Sequence, residues 1–153
     1  MDAVSLLKKQ HREVEALFKK AEKANNANMR RELVDQIVTK LELHTKLEEE
    51  IVYPAIREVR NKKAEEMVLE AYEEHAVVKL VLARLPDADP EDERFSAKIT
   101  VLMELVKHHV EEEEKEMFKL AQKLGKDELQ SLGEQMMQAM PAEERAKARR
   151  RAA

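Results

Sequence analysis

Four histidines, His11, His44, His75 and His109, and two glutamates, Glu48 and Glu113, are the residues of this chain with the clearest capacity for chemistry. Each histidine falls in an apolar series whose members recur at spacings of three and four, one face of an amphipathic helix. The first series is Val4, Leu7, His11, Val14, Phe18 and Ala21; the second is Leu33, Ile37, Leu41, His44, Glu48, Ile51, Ala55 and Val59. The third is Val68, Ala71, His75, Val78, Leu82 and Leu85, and the fourth Ile99, Leu102, Val106, His109, Glu113, Met117 and Leu120. Glu48 and Glu113 each follow a histidine by one helical turn on the same stripe. No lysine or arginine shares those stripes. An ionised carboxylate is rarely buried without a partner or a metal, because desolvation costs several kcal/mol. Imidazoles and carboxylates converging inside a helical core are how a bundle builds a metal site.

Each piece alone is weak. A histidine on an apolar face is commonly a satisfied core residue, and Glu48 and Glu113 belong to acidic runs of the kind that usually face solvent. The conjunction carries the reading: a stripe histidine on all four helices and the same His-x-x-x-Glu on two. The segment from His44 to Pro54 echoes that from His109 to Lys119, pairing Glu48 with Glu113, Glu49 with Glu114 and Tyr53 with Phe118 without a gap. This register selects His109 over His108, which lies about 100° round the helix and is given a flanking role.

The elements that must position these residues are helices throughout. Two glycines and four prolines in 153 residues, with abundant Ala, Leu, Glu, Lys and Met, favour helix. The expected fold is all-α, an antiparallel up-down four-helix bundle over residues 1–124, with a short fifth helix over 125–140 and a basic flexible tail over 141–153. The first helix is expected from Asp2 to Ala24, and Asn28 is expected to cap the second. Pro54 predicts a kink near Tyr53, Asn61 a cap for the third helix, and Asp89-Pro90 the start of the fourth. The fifth helix offers Leu129, Leu132, Met136 and Met140, most simply to the bundle. The tail carries Arg145, Lys147, Arg149, Arg150 and Arg151.

Composition excludes several classes of function. Without cysteine there is no iron–sulfur cluster, thiolate zinc site or thiol redox chemistry. An aromatic content of 3% and a net charge of −4 argue against nucleic acid and anionic membranes as partners. The N-terminus has no basic-then-apolar leader and no apolar run reaches membrane-spanning length, so a cytoplasmic location is expected, as a monomer or weak homo-oligomer. Glycines only at 125 and 133 rule out a P-loop, a dinucleotide turn and a nucleophile elbow. Glu-x-x-His and His-Glu-x-x-His are absent.

The order His, His-x-x-x-Glu followed by Tyr-Pro, Glu-His, then His-x-x-x-Glu resembles the hemerythrin-like (HHE cation-binding) family over about residues 1–124. The resemblance implies two iron ions with an oxo or hydroxo bridge, held by His11, His44, Glu48, His75, His109 and Glu113, with both glutamates bridging. Two departures from the oxygen-carrying hemerythrins matter. Lys79 stands where those carriers have a second histidine after the third-helix ligand, and Glu113 follows His109 by four residues instead of five. The sequence is therefore more similar to bacterial forms with fewer histidines, some associated with peroxide breakdown.

At about six donors per iron, this set with its bridge fills about ten of about twelve positions. Tyr72, Tyr53, Glu49 and Glu112 are candidates for the remainder, although for the tyrosines a hydrogen-bonded core role is the simpler expectation. Open positions suit turnover of peroxide or O2 better than simple O2 carriage. The implied function is thus a di-iron protein disproportionating peroxide or reducing O2, with no catalytic residues beyond the metal ligands. A non-catalytic protein binding or sensing iron, O2 or nitric oxide is the alternative.

Overall fold

A computed structural model describes residues 1–152, without the side chains of 151 and 152. Ala153 and the side chain of Arg151, both within the expected tail, lie outside the described residues. The order is α1 (Ala3–Lys23), α2 (Ala27–Leu47), a π-helical turn (Glu48–Val52), α3 (Tyr53–Arg57), α4 (Lys62–Arg84), α5 (Phe95–Glu112), a second π-helical turn (Glu113–Met117), α6 (Phe118–Ala121), a 3-10 turn (Gln122–Leu124), α7 (Lys126–Ala139) and α8 (Ala142–Ala152). The described residues contain no strand.

Side-chain caps set the helix starts. Asp2 accepts from Ser5 N at 2.9 Å, and Asn61 accepts from Ala64 N at 3.1 Å, each satisfying a donor that the first turn leaves free. The cap of α2 is Asn26, accepting from Met29 N at 2.8 Å, and not Asn28 as its sequence position suggests.

The fourth long helix also begins later than Asp89-Pro90 predicts. Asp89 and Asp92 accept from Glu91 N and Arg94 N, two residues on, which fixes turns instead of a helical start. Helix α5 starts at Phe95, whose buried ring lies under Arg31 at 5.8 Å. Arg31 also donates to Leu85 O and Ala88 O at 2.8 and 2.9 Å, tying the connection down.

Two apolar clusters flank a polar layer. One gathers Ala3–Leu7 residues with Leu47, Val52, Tyr53, Ala64, Val68 and Ala71, then Met117, Phe118 and α7; the other gathers Val14–Ala21 residues with Val34–Leu41, Val78–Leu85 and Phe95–Leu102 residues. In α1, α2, α4 and α5 alike, the histidine falls between the parts of the chain that enter the two clusters. The order of the clusters along the chain alternates from each of these helices to the next.

Helix α7 buries Leu129, Leu132 and Met136 against α1, and Met140 just beyond it joins the same cluster. Gly133 makes that contact possible: a Cβ there would sit 2.2 Å from Met1 O and 3.0 Å from Asp2 C. Gly133→Ala is expected to cost roughly 1–3 kcal/mol by overpacking. Thermal unfolding should report it as a fall of several °C, with exposed Glu134→Ala as the control; equal melting points would show that the terminus can move away.

The segment expected as a basic tail carries helix α8. Arg145 donates to Met137 O and Met140 O, each at 3.0 Å, at the end of α7. Lys9 reaches Ala148 O at 3.0 Å, and Glu144 pairs with Lys40 at 3.1 Å.

Candidate metal centre

The two π-helical turns build the site. Each opens on one of the stripe glutamates: Tyr53 N–H bonds back five residues to Glu48 O, and Phe118 N–H to Glu113 O. The extra residue per turn shifts the buried face by one position. A continuous α-helix would bury Ile51, Ala55 and Val59, but Val52, Tyr53 and Ile56 are buried in their place, and Ala121 is buried where Leu120 is half-exposed. The shift turns Tyr53 inward beside Glu48. Such π turns are frequent at functional sites.

His11, His44, His75, His109, Glu48 and Glu113 are all buried, the two glutamates to 0% and 1% exposure. Their ligand-type atoms fall into two overlapping groups, His11–His44–Glu48–Glu113 and Glu48–His75–His109. The histidines pair edge to face, His11 with His44 at 4.9 Å between ring centres and His75 with His109 at 4.7 Å. The sequence echo is visible here as well: Phe118 stacks on His11 at 5.9 Å, and Tyr53 tilts against His75 at 5.4 Å. One pair therefore has a phenyl ring beside it and the other a phenol. The Tyr53 hydroxyl donates to Glu48 Oε2 and lies 3.2 Å from Nε2 of both His75 and His109.

Each histidine is held from outside through Nδ1: His11 by Glu114 at 2.8 Å, His44 by Gln10 at 2.7 Å, His75 by Glu49 at 3.2 Å and His109 by Glu74 at 2.9 Å. An Nδ1–H given to these acceptors fixes the ring and leaves the Nε2 lone pair pointing inward, the usual arrangement for a metal-ligating imidazole. Glu114 is in turn held by Arg12, and Glu49 by Lys79 Nζ at 2.9 Å. Lys79, in the position of the missing histidine, thus steadies the acid behind His75. Gln10, Glu74 and Glu114 were missed in the sequence. Each is the chain neighbour of a stripe residue, as Glu49 is, and that adjacency was the available signal.

The remaining candidates fall elsewhere. Tyr72 packs edge-on against Tyr53 and gives its hydroxyl to Glu49 O at 3.2 Å, and Glu112 lies 3.2 Å from His108 on the surface. Glu49 is engaged by His75 and Lys79. Of the four, Tyr53 brings its oxygen to the inward Nε2 atoms of His75 and His109, whereas Glu49 meets His75 from outside at Nδ1.

The acids share their charge unequally. Burial disfavours the Glu48 anion, but His44 and hydrogen bonds from His109 and His75 override it, holding Glu48 well below the carboxylate range. Glu113 is pushed up to about 7 by burial and by the charge of Glu48. Burial and the charge of His44 lower His11 to about 4. His109 rises far above the imidazole range: burial opposes its charge, but Glu113 and then Glu48 favour it. Tyr53 is raised by burial and by both acids, and so keeps its proton.

Metal fits the donors left over. His11 Nε2, His44 Nε2, Glu48 Oε1 and both Glu113 oxygens are buried in one cluster without a well-formed hydrogen bond, His44 Nε2 touching Glu48 Oε1 and Glu113 Oε1 lying 2.6 Å from His109 Nε2. Buried polar atoms are normally satisfied, and these five converge, Arg30 Nε being the other such side-chain atom among the described residues. A void of about 20 Å³ is bounded by all four histidines and closed by Val14, Leu41, Val78 and Val106.

Comparison with known proteins agrees with this fold. A hemerythrin HHE cation binding domain-containing protein from Mycobacterium kansasii superposes with a TM-score of 0.76, covering 89% of this chain and 83% of that one at 24% identity, which supports the fold. An uncharacterized hemerythrin-like protein of Schizosaccharomyces pombe is 27% identical over 106 residues, which are 69% of this chain and 52% of that protein. A DNA nickase of Nostoc sp. is 28% identical over 118 residues, 77% of this chain and 33% of that protein. The chain thus spans a third to a half of the length of these curated relatives. The family model of the hemerythrin HHE cation binding domain matches residues 2–121, which contain every buried histidine and glutamate described above. With the fold, the motif order and the buried donor set in agreement, the chain belongs to the hemerythrin HHE cation binding domain family.

Proposed function

We propose that this chain is a di-iron protein that binds O2-derived ligands and turns over peroxide or O2 at open iron positions. The frame is an antiparallel up-down four-helix bundle formed by α1, α2, α4 and α5, a reading supported by the alternating order of the two apolar clusters. His11, His44, His75, His109, Glu48 and Glu113 would hold the two irons. Bound iron supplies the redox chemistry, cycling electrons to and from a small oxygen species.

The observation that carries the proposal is the set of converging orphan donors beside a void of about 20 Å³. That space admits one water-sized group or a diatomic molecule and little more. A cleft of about 360 Å³ between α1 and α5, floored by Phe18, Met103, Val106 and Val110, reaches His11 from the surface and gives small ligands a path. The chain's own residues do the rest. Tyr53 holds a proton at its hydroxyl beside His75 and His109, and is the candidate for an additional ligand. Glu114, Gln10, Glu49 and Glu74 keep the imidazoles aimed. The apolar wall excludes bulk water. The name of the Nostoc relative belongs to a protein of which the chain covers 33%, and no nicking activity is proposed here.

Iron-loaded protein is expected to consume peroxide with release of O2, and His44→Ala and Glu113→Ala are each expected to abolish this. Electrode measurements of peroxide and O2 test it. Tight reversible binding of nitric oxide or O2 without turnover would overturn the catalytic reading in favour of a binding or sensing role.

A further inference from the structure

We infer that Glu74, His108 and Glu112 form an exposed divalent-cation site that feeds the buried centre. The inference rests on the reading of that centre as a metal site. His108-x-x-x-Glu112 has the spacing found in His44-x-x-x-Glu48 and His109-x-x-x-Glu113, as His11-x-x-x-Glu15 does, and it lies one residue before the His109 pair on α5. One residue is about 100° of rotation, so this pair faces outward where its neighbour faces inward. His108 is 66% exposed on its side chain, with Nε2 3.2 Å from Glu112 Oε1 and 3.6 Å from Glu74 Oε2. The three ligand-type atoms lie within 4.8 Å of one another, and Glu74 comes from α4, so the group spans two helices.

One imidazole and two carboxylates suit borderline divalent ions such as Fe2+, Mn2+ or Zn2+. Three protein donors on a solvated surface leave the other positions to water, which makes the ion easy to capture and easy to release. The two oxygens of Glu74 divide the work: Oε2 faces His108, and Oε1 lies 2.9 Å from His109 Nδ1. The outer group therefore shares a carboxylate with the ring that turns its Nε2 toward Glu113 at 2.6 Å. An ion held outside sits directly behind a buried ligand, at the α4–α5 seam it would have to cross.

The test is a titration of metal-free protein with Fe2+ under exclusion of O2, with stoichiometry from calorimetry and filling rate from stopped-flow absorbance. Wild-type protein is expected to take two equivalents tightly and a third weakly. His108→Ala and Glu112→Gln, both surface changes, should lose the third equivalent, keep the two tight ones, and fill them about tenfold more slowly as the local cation concentration falls. A third equivalent that survives both substitutions overturns the site. Its loss with an unchanged filling rate overturns the feeding role. A weak His108-dependent equivalent without any tight pair would uphold the outer site while sinking the buried-centre reading.

Discussion

Loading iron into the metal-free protein is expected to raise its melting temperature by about 10 °C or more, and Glu48→Gln to erase that gain. Glu48 is fully buried and belongs to both groups of potential ligands. It touches Tyr53 and His44, and lies 3.4 Å from His75 and 3.7 Å from His109. A ligand that binds only the folded chain stabilises it by about 4 kcal/mol at a thousandfold excess over its dissociation constant. For a domain of this size, 1 kcal/mol moves the melting temperature by roughly 2–4 °C. Glutamine keeps the volume of Glu48 and removes its charge, so the variant folds yet would offer metal one anionic donor fewer. Thermal unfolding of both proteins, with iron and after chelation, measures the effect. Equal melting temperatures for loaded and chelated wild type would show that the six residues are not metal ligands.

The sequence made the four stripes legible because helical periodicity is a long-range pattern that a few polar residues do not erase. It marked His11, His44, His75 and His109 as buried for the same reason. It did not reveal the π turns. A π turn has no composition of its own: Glu48–Val52 and Glu113–Met117 are good helix formers, and one added residue shows only as a face that slips out of phase. Counting at α-helical pitch therefore placed Ile51 and Ala55 in the core and set Tyr53 off to the side. Pro54 predicts a kink near Tyr53, and the structure places the irregularity just before it, in the turn that carries Glu48. The acids behind the histidines were hidden by abundance. Among 32 acidic residues, Glu74 and Glu114 differ from their neighbours only by standing next to a stripe residue. The C-terminal residues misled for the opposite reason, since their charge argued for solvent while Arg145 was needed by the carbonyls ending α7.

Glu113 gives the second large effect, and its sign reverses with metal. Without metal, its carboxyl is raised from 4.5 to about 7, by burial first and by the charge of Glu48 next. A carboxyl raised on folding contributes stability that is complete below pH 4.5 and disappears as pH climbs through 7. The loss is complete by pH 8, and Glu113 shares it with His109, whose Nε2 lies 2.6 Å from its carboxylate. Glu113→Gln removes that loss, because the amide has no proton to give up. Between pH 4.5 and pH 8 the metal-free variant should therefore lose several °C less in melting temperature than metal-free wild type. With iron present the advantage inverts, since the amide is a poorer ligand and the gain from metal falls away. A single residue then destabilises the empty fold and stabilises the filled one, the behaviour of a donor placed for a metal and not for the core. Melting curves at the two pH values, each with iron and with chelator, contain the whole test. A variant that loses as much as wild type between the two pH values without metal would mean that Glu113 is already satisfied by its protein neighbours, and the argument from orphaned donors would lose its strongest member.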